Sequence, residues 1–329
     1  MTIPPYWASL RAKLFDDLAG SQIYKIREGA SGENWYALLD AGQLPRTYYA
    51  ELKKKIPQHI CLFSLTKEHN IAEYGPILIP IDRKLDNTTV AALVRAMRFG
   101  WTVSWLSSLL SLNQLAIHLA GHLNGSFTDG SEVLIRYYDP RLLPAFINEC
   151  ELLSTRSLMY PICHWLSWNR EMSLVVYDGG HGEKSPGVNV TNISKEVRLA
   201  MSVATFDDFV HAQILNDAGG DDFFNWLPHM VNYAVATQVK KARSYGLVLL
   251  PDIQLYVSLA LTVHPQFFDL IPFFSKNLDY LKRNQVDIAT LALAVDDRDW
   301  EKLGASGKAE IEKIKIATGE KICRKKVKD

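Results

Sequence analysis

No formally charged residue stands between Arg98 and Asp129, a run of thirty positions. Such a stretch has to be hidden from water, either in a membrane or beneath the rest of a fold. A membrane span needs about 20 predominantly apolar residues. This run carries Ser104, Ser107, Ser108, Ser111, Asn113, Gln114, His118 and His122, and transferring so many polar groups into hydrocarbon is costly. It reads instead as a buried strand at residues 101–106 and a helix at 109–123 covered by the rest of a domain. No stable membrane insertion is expected.

The sequence around it alternates in the same way. Short apolar runs at 35–39, 60–63, 76–81 and 133–138, with a further one at 172–177, end at Gly, Pro or Asp, as strands buried on both faces do. Residues 87–99 place Val90, Leu93, Val94 and Met97 on one helical face. This alternation predicts an α/β N-terminal lobe with a mixed, largely parallel sheet. A polar, glycine-rich break follows at 178–187. From residue 206 the pattern turns helical, with Asp252 after Pro251 read as an N-cap, and predicts an all-α C-terminal lobe. At 329 residues, two domains are the natural division. The boundaries expected are 1–177 for the α/β domain, 178–204 for a linker, 205–303 for the helical domain and 304–329 for a basic tail.

Charge divides along the same lines. Lys and Arg number 36, as do Asp and Glu, so the net charge is zero. Residues 1–165 hold 16 basic and 15 acidic groups, residues 166–307 hold 12 and 17, and the remainder holds 8 and 4. A neutral whole does not suit a surface devoted to nucleic acid, and the basic tail lacks aromatics for stacking on bases. The four cysteines, Cys61, Cys150, Cys163 and Cys323, form no Cys-x-x-Cys pair and read as buried thiols of a reducing compartment. The first twenty residues have no apolar run of signal-peptide kind, so the cytoplasm is the expected location.

Motifs for chemistry are incomplete. His118 and His122 stand four apart on the expected helix, but Leu119 occupies the place where a zinc-protease helix carries its glutamate. The loop from Gly179 to Ser185 has Glu183 before Lys184, where a phosphate-binding loop needs glycine. Neither the serine-hydrolase elbow nor the dinucleotide fingerprint occurs. The acidic groups at Asp207-Asp208, Asp221-Asp222 and Asp296-Asp297 with Asp299 read as helix caps. No catalytic residue, cofactor site or metal set follows from the motifs.

Residues 134–143 read Leu-Ile-Arg-Tyr-Tyr-Asp-Pro-Arg-Leu-Leu. Physically this is a strand entering a helix, with Asp139 as cap, Pro140 at the first helical position, and Arg136 and Arg141 left to pair with a carboxylate. The stretch resembles the Arg-aromatic-Tyr-Asp-Pro-Arg signature of the type VI secretion effector chaperones, or adaptors, a family long filed as a domain of unknown function. Other pieces agree in order. Tyr36 to Ala41, which includes Asp40, resembles the family's opening strand, Tyr74-Gly75-Pro76 its Gly-Pro element, and Gly100 to Ser104 its central strand. Leu115 with His118-Leu119 resembles the helix that follows. The likeness spans about residues 34–150, with a weaker one at Ala242 to Leu247. It implies a non-catalytic adaptor that binds a secreted effector toxin in the cytoplasm and promotes its loading onto a VgrG-type spike protein. Arg136, Tyr138, Asp139, Pro140, Arg141 and Asp40 are then the signature residues, in structural or partner-binding roles. Two other classes stay open on the residues alone: a hydrolase whose site is assembled from separate loops, and an anion- or nucleic-acid-binding module using the basic tail.

Overall fold

The computed structural model describes residues 32–56, 58–81, 87–96, 101–127, 129–149, 157–168, 174–184, 191–217 and 228–324. The chain divides at Thr205/Phe206 into two compact units, each with its own apolar core.

The first unit is organised by β1 (Asn34–Asp40), buried from Trp35 onward. It pairs on one side with β3 (Pro76–Ile81) and on the other with β4 (Val103–Ser108). Beyond β3 lies the two-residue β2 (Ile60–Cys61); beyond β4 lie β7 (Ile162–Trp168) and the edge strand β8 (Leu174–Asp178). The order is β2-β3-β1-β4-β7-β8, and every pairing is antiparallel. This overturns the expected, largely parallel sheet. Continuous apolar runs report that both faces are covered and say nothing of strand direction. Here both faces of an antiparallel sheet are covered, so the pattern mimicked parallel strands.

A second, three-stranded sheet joins β5 (Asn124–Phe127) antiparallel to β6 (Glu132–Leu134) and parallel to β9 (Thr191–Ile193). The apolar run at 133–138 is therefore strand only as far as Leu134. Tyr137 beyond it is fully buried, and its hydroxyl donates to the Leu119 carbonyl. Burial in a turn, not in a ladder, explains its apolar character.

Helices of this unit include α1 (Arg46–Lys55), α2 (Asn87–Ala96), α3 (Leu112–Gly121) and α4 (Leu143–Glu149). Helix α3 starts where Gln114 accepts from both the backbone and the hydroxyl of Ser111. It lays Leu115, Ala116 and Leu119 against Tyr36, Leu38, Leu106 and Trp165 of the sheet. The glycine-rich break packs tightly within this unit. Gly179 and Gly182 donate to the carbonyls of Cys163 and Tyr160, at 2.9 and 2.7 Å. A Cβ at Gly179 would stand 1.9 Å from the Ile162 oxygen, so only glycine allows this approach.

Helix α5 (Lys195–Asp217) begins inside the segment expected as a linker and carries Asp207 and Asp208 in its interior, away from its own N-terminus. Asp221 and Asp222 lie outside the described residues. The second unit continues with α6 (Pro228–Ser244), α7 (Leu250–Thr262), the short α8 (Phe267–Leu270), α9 (Pro272–Lys276), α10 (Leu278–Lys282) and α11 (Ile288–Leu293), and the long α12 (Asp297–Arg324). Its core stacks Tyr256, Phe267, Phe268 and Phe274, with Trp300 at 6.2 Å from both Phe267 and Phe274. Asp252 does not cap its own helix, whose cap position is Leu249. It is buried, and its carboxylate accepts the Ile288 amide at 2.9 Å, capping α11 from another helix. Asp296 accepts the Arg298 amide at 2.8 Å, as a cap does. The basic tail is helical as far as Arg324, within α12. Among the described residues no helix is long and apolar enough to cross a membrane.

Candidate functional site

The signature residues meet at the end of β1. Asp40, the last residue of that strand, is tied down by its own amide, which donates to the Thr102 carbonyl at 2.8 Å. Its carboxylate accepts from the Gly42 amide at 3.2 Å and from Gln43 Nε2 at 2.8 Å. Arg136 Nη2 reaches Asp40 Oδ2 at 3.1 Å and Asp139 Oδ2 at 3.2 Å, so one guanidinium bridges two carboxylates ninety-nine positions apart. Arg141 closes on Asp139 with Nε and Nη2, at 2.9 and 2.7 Å.

Local sequence explains the geometry. Asp139 Oδ1 accepts the Arg141 amide at 3.0 Å, and its carbonyl accepts the amides of Leu142 and Leu143 at 2.9 and 3.0 Å. The chain therefore turns helically from Asp139 into α4, and Pro140 occupies a position where a missing N–H costs nothing. The cap and Pro140 placement expected from the sequence describes this turn, although the regular helix starts at Leu143. Tyr138 is buried against Phe63 and lies beneath Arg136, whose guanidinium carbon stands 5.9 Å from the ring centroid.

Two carboxylates and two guanidiniums balance in charge, but burial separates them. The side chains of Asp40 and Asp139 are 2% and 1% exposed, against 42% for Arg136. Burial raises the Asp40 carboxyl above its ordinary value, while the Gln43 hydrogen bond and the Arg136 charge oppose that rise. Anions sealed inside and a cation at the rim make a rigid turn with one guanidinium edge toward water. Such a lattice can position a loop and engage a carboxylate or carbonyl of a partner. It offers no nucleophile. Residues 35–156 match the family model described as a domain of unknown function, DUF4123. All six signature residues fall inside that span, and the second unit falls outside it. No curated protein and no solved structure matches the chain.

Elsewhere, His118 and His122 sit in the core with ring centroids 4.8 Å apart. His118 Nε2 meets the Leu158 carbonyl at 2.9 Å, and His122 Nε2 lies 3.4 Å from Ser157 Oγ. His122 Nδ1 is buried with no hydrogen-bond partner, so no carboxylate orients the ring as a serine nucleophile's base requires. Burial, with His118 adding to it, pushes the His122 pKa down to about 4.

A third group was not legible in the sequence. Glu33, just before β1, Cys163 on β7 and His181, beyond β8, offer a carboxylate oxygen, a sulfur and a ring nitrogen all within 4.8 Å of one another. They are spread over 149 positions with no motif spacing, and antiparallel pairing alone brings them together.

Proposed function

We propose that this protein is a non-catalytic adaptor for type VI secretion, binding a secreted effector toxin in the cytoplasm and promoting its loading onto a VgrG-type spike. The observation that carries the reading is the coincidence of three things: the family match, the stretch that resembles the effector adaptors, and the ion-pair lattice of Asp40, Arg136, Asp139 and Arg141. The lattice fixes a turn and leaves Arg136 at its rim, which suits recognition better than catalysis. Exposed apolar side chains on α5, Leu199 and Val203, and on α11, Leu293, add surface of the kind that partners cover.

The test is co-purification of the full chain with the product of the neighbouring gene and with a spike C-terminal segment. Binding to both is expected, and binding to neither ends the adaptor reading. Arg136→Ala separates recognition from folding: it is expected to weaken effector capture while the unfolding midpoint falls by less than that of Asp139→Ala.

A further inference from the structure

We infer that Glu33, Cys163 and His181 form a binding site for a single divalent transition-metal ion of zinc type. The donor set is thiol, imidazole and carboxylate, the three side-chain types that zinc takes, whereas magnesium and calcium prefer oxygen alone. The three residues come from three segments locked by the sheet: β1 neighbours β4, β4 neighbours β7, and β7 carries the strand leading to His181. A tetrahedral zinc with bonds of about 2.0–2.3 Å spaces its ligand atoms about 3.5 Å apart. The donors here lie within 4.8 Å of one another, and the remainder is to be closed by rotation of the exposed His181 side chain.

One oxygen of the donor set lacks a protein partner. Glu33 Oε2 is buried and has no hydrogen-bond partner, an uncommon state for a carboxylate oxygen. A divalent ion would supply that oxygen's partner. Thiolate and carboxylate together carry two negative charges, so a bound zinc leaves the site neutral. Binding forms the sulfur–metal bond and releases the thiol proton to solvent, one per ion. Water takes the fourth position on the side where His181 is exposed.

The loop is built to present that ring. His181 has φ of 54°, in the left-handed region, and stands between Gly180 and Gly182, whose Cβ positions are blocked by Tyr160. Its backbone donates to the Ile162 carbonyl at 3.3 Å, and its ring meets that of His164 edge-on at 5.5 Å. His164 is itself held by Asp178 at 3.1 Å, so a positioned imidazole stands beside the His181 ring. All three donors lie outside the residues of the family match.

The experiment titrates the metal-free full chain with zinc and with cobalt(II). One ion per chain is expected at micromolar affinity or tighter, with a near-ultraviolet sulfur-to-cobalt charge-transfer band. The band disappears in C163S. In H181G zinc affinity falls by more than about tenfold. Glycine suits the left-handed backbone at an exposed position, so H181G keeps the fold even if C163S loses it. Absence of the band in the wild-type chain, its survival in folded C163S, or unchanged affinity in H181G overturns the site.

Discussion

Arg141 grips Asp139 through two parallel hydrogen bonds, with a side chain only two residues further along the chain. Asp139 is 1% exposed and also receives Arg136, so its removal takes the fork from Arg141 and one of two carboxylates from Arg136. If Asp139 were only a helix cap, Asp139→Ala would cost about 1 kcal/mol. As the buried centre of an ion lattice it should cost about 3 kcal/mol, and Arg141→Lys, which keeps charge but loses the fork, about 1 kcal/mol. Denaturant unfolding of the two variants decides between cap and lattice.

Helix α12 contains two glycines with opposite environments. At Gly304 a Cβ would meet nothing within 4 Å, so Gly304→Ala should stabilise by about 0.5–1 kcal/mol through helix propensity. At Gly307 a Cβ would stand 1.7 Å from the Val263 carbonyl oxygen, where α7 ends. Gly307→Ala should therefore destabilise by more than about 2 kcal/mol, because backbone must move to admit it. Thermal melts of the pair should shift in opposite directions.

Asp252 reaches across to cap α11 at Ile288. Asp252→Ala leaves that buried amide without its acceptor, at a cost of about 1–3 kcal/mol. Hydrogen exchange should quicken at Ile288 and its neighbours in the second unit. Exchange in β1 and β4 should stay unchanged, since the first unit has a separate core.

Acid sensitivity should trace to the buried histidines. The folded pKa of His122, about 4, lies below its ordinary 6.5, so the unfolded chain takes the proton first as pH falls. Stability from this group is complete above pH 6.5 and is lost between there and pH 4, on the order of 3 kcal/mol in all. Urea midpoints across that range should decline in the wild type. His122→Gln should flatten the decline, leaving the share of His118, which burial lowers too.

Much of this was legible in the residues, though unevenly. The runs that became β1 and β3 were plain because both their faces are buried, and α3 was plain from its position in the uncharged segment. Strand direction was not, since burial carries no sign of it. The strand β7 went unread because His164 and Ser167 interrupt its apolar run, although Ile162, Trp165 and Trp168 are buried. Arg136 to Arg141 announced a charged turn, but Asp40 as its distant partner emerges only from the fold. Asp252 looked like a cap and is one, for a helix thirty-six positions away.

The place of β1 between β3 and β4 has a cost at birth. Ile81, the end of β3, follows Asp40 by 41 positions, and Ser108, the end of β4, by 68. At about 5–20 residues per second on the ribosome, the first partner takes about 2–8 s to be made and the second about 3–14 s. Through that interval Trp35, Leu38 and Leu39 have no strand to lie against, and both edges of β1 stand open to any extended chain nearby. The earliest hazard for this protein is thus set by the order in which its strands are translated, before any of its finished surfaces exist.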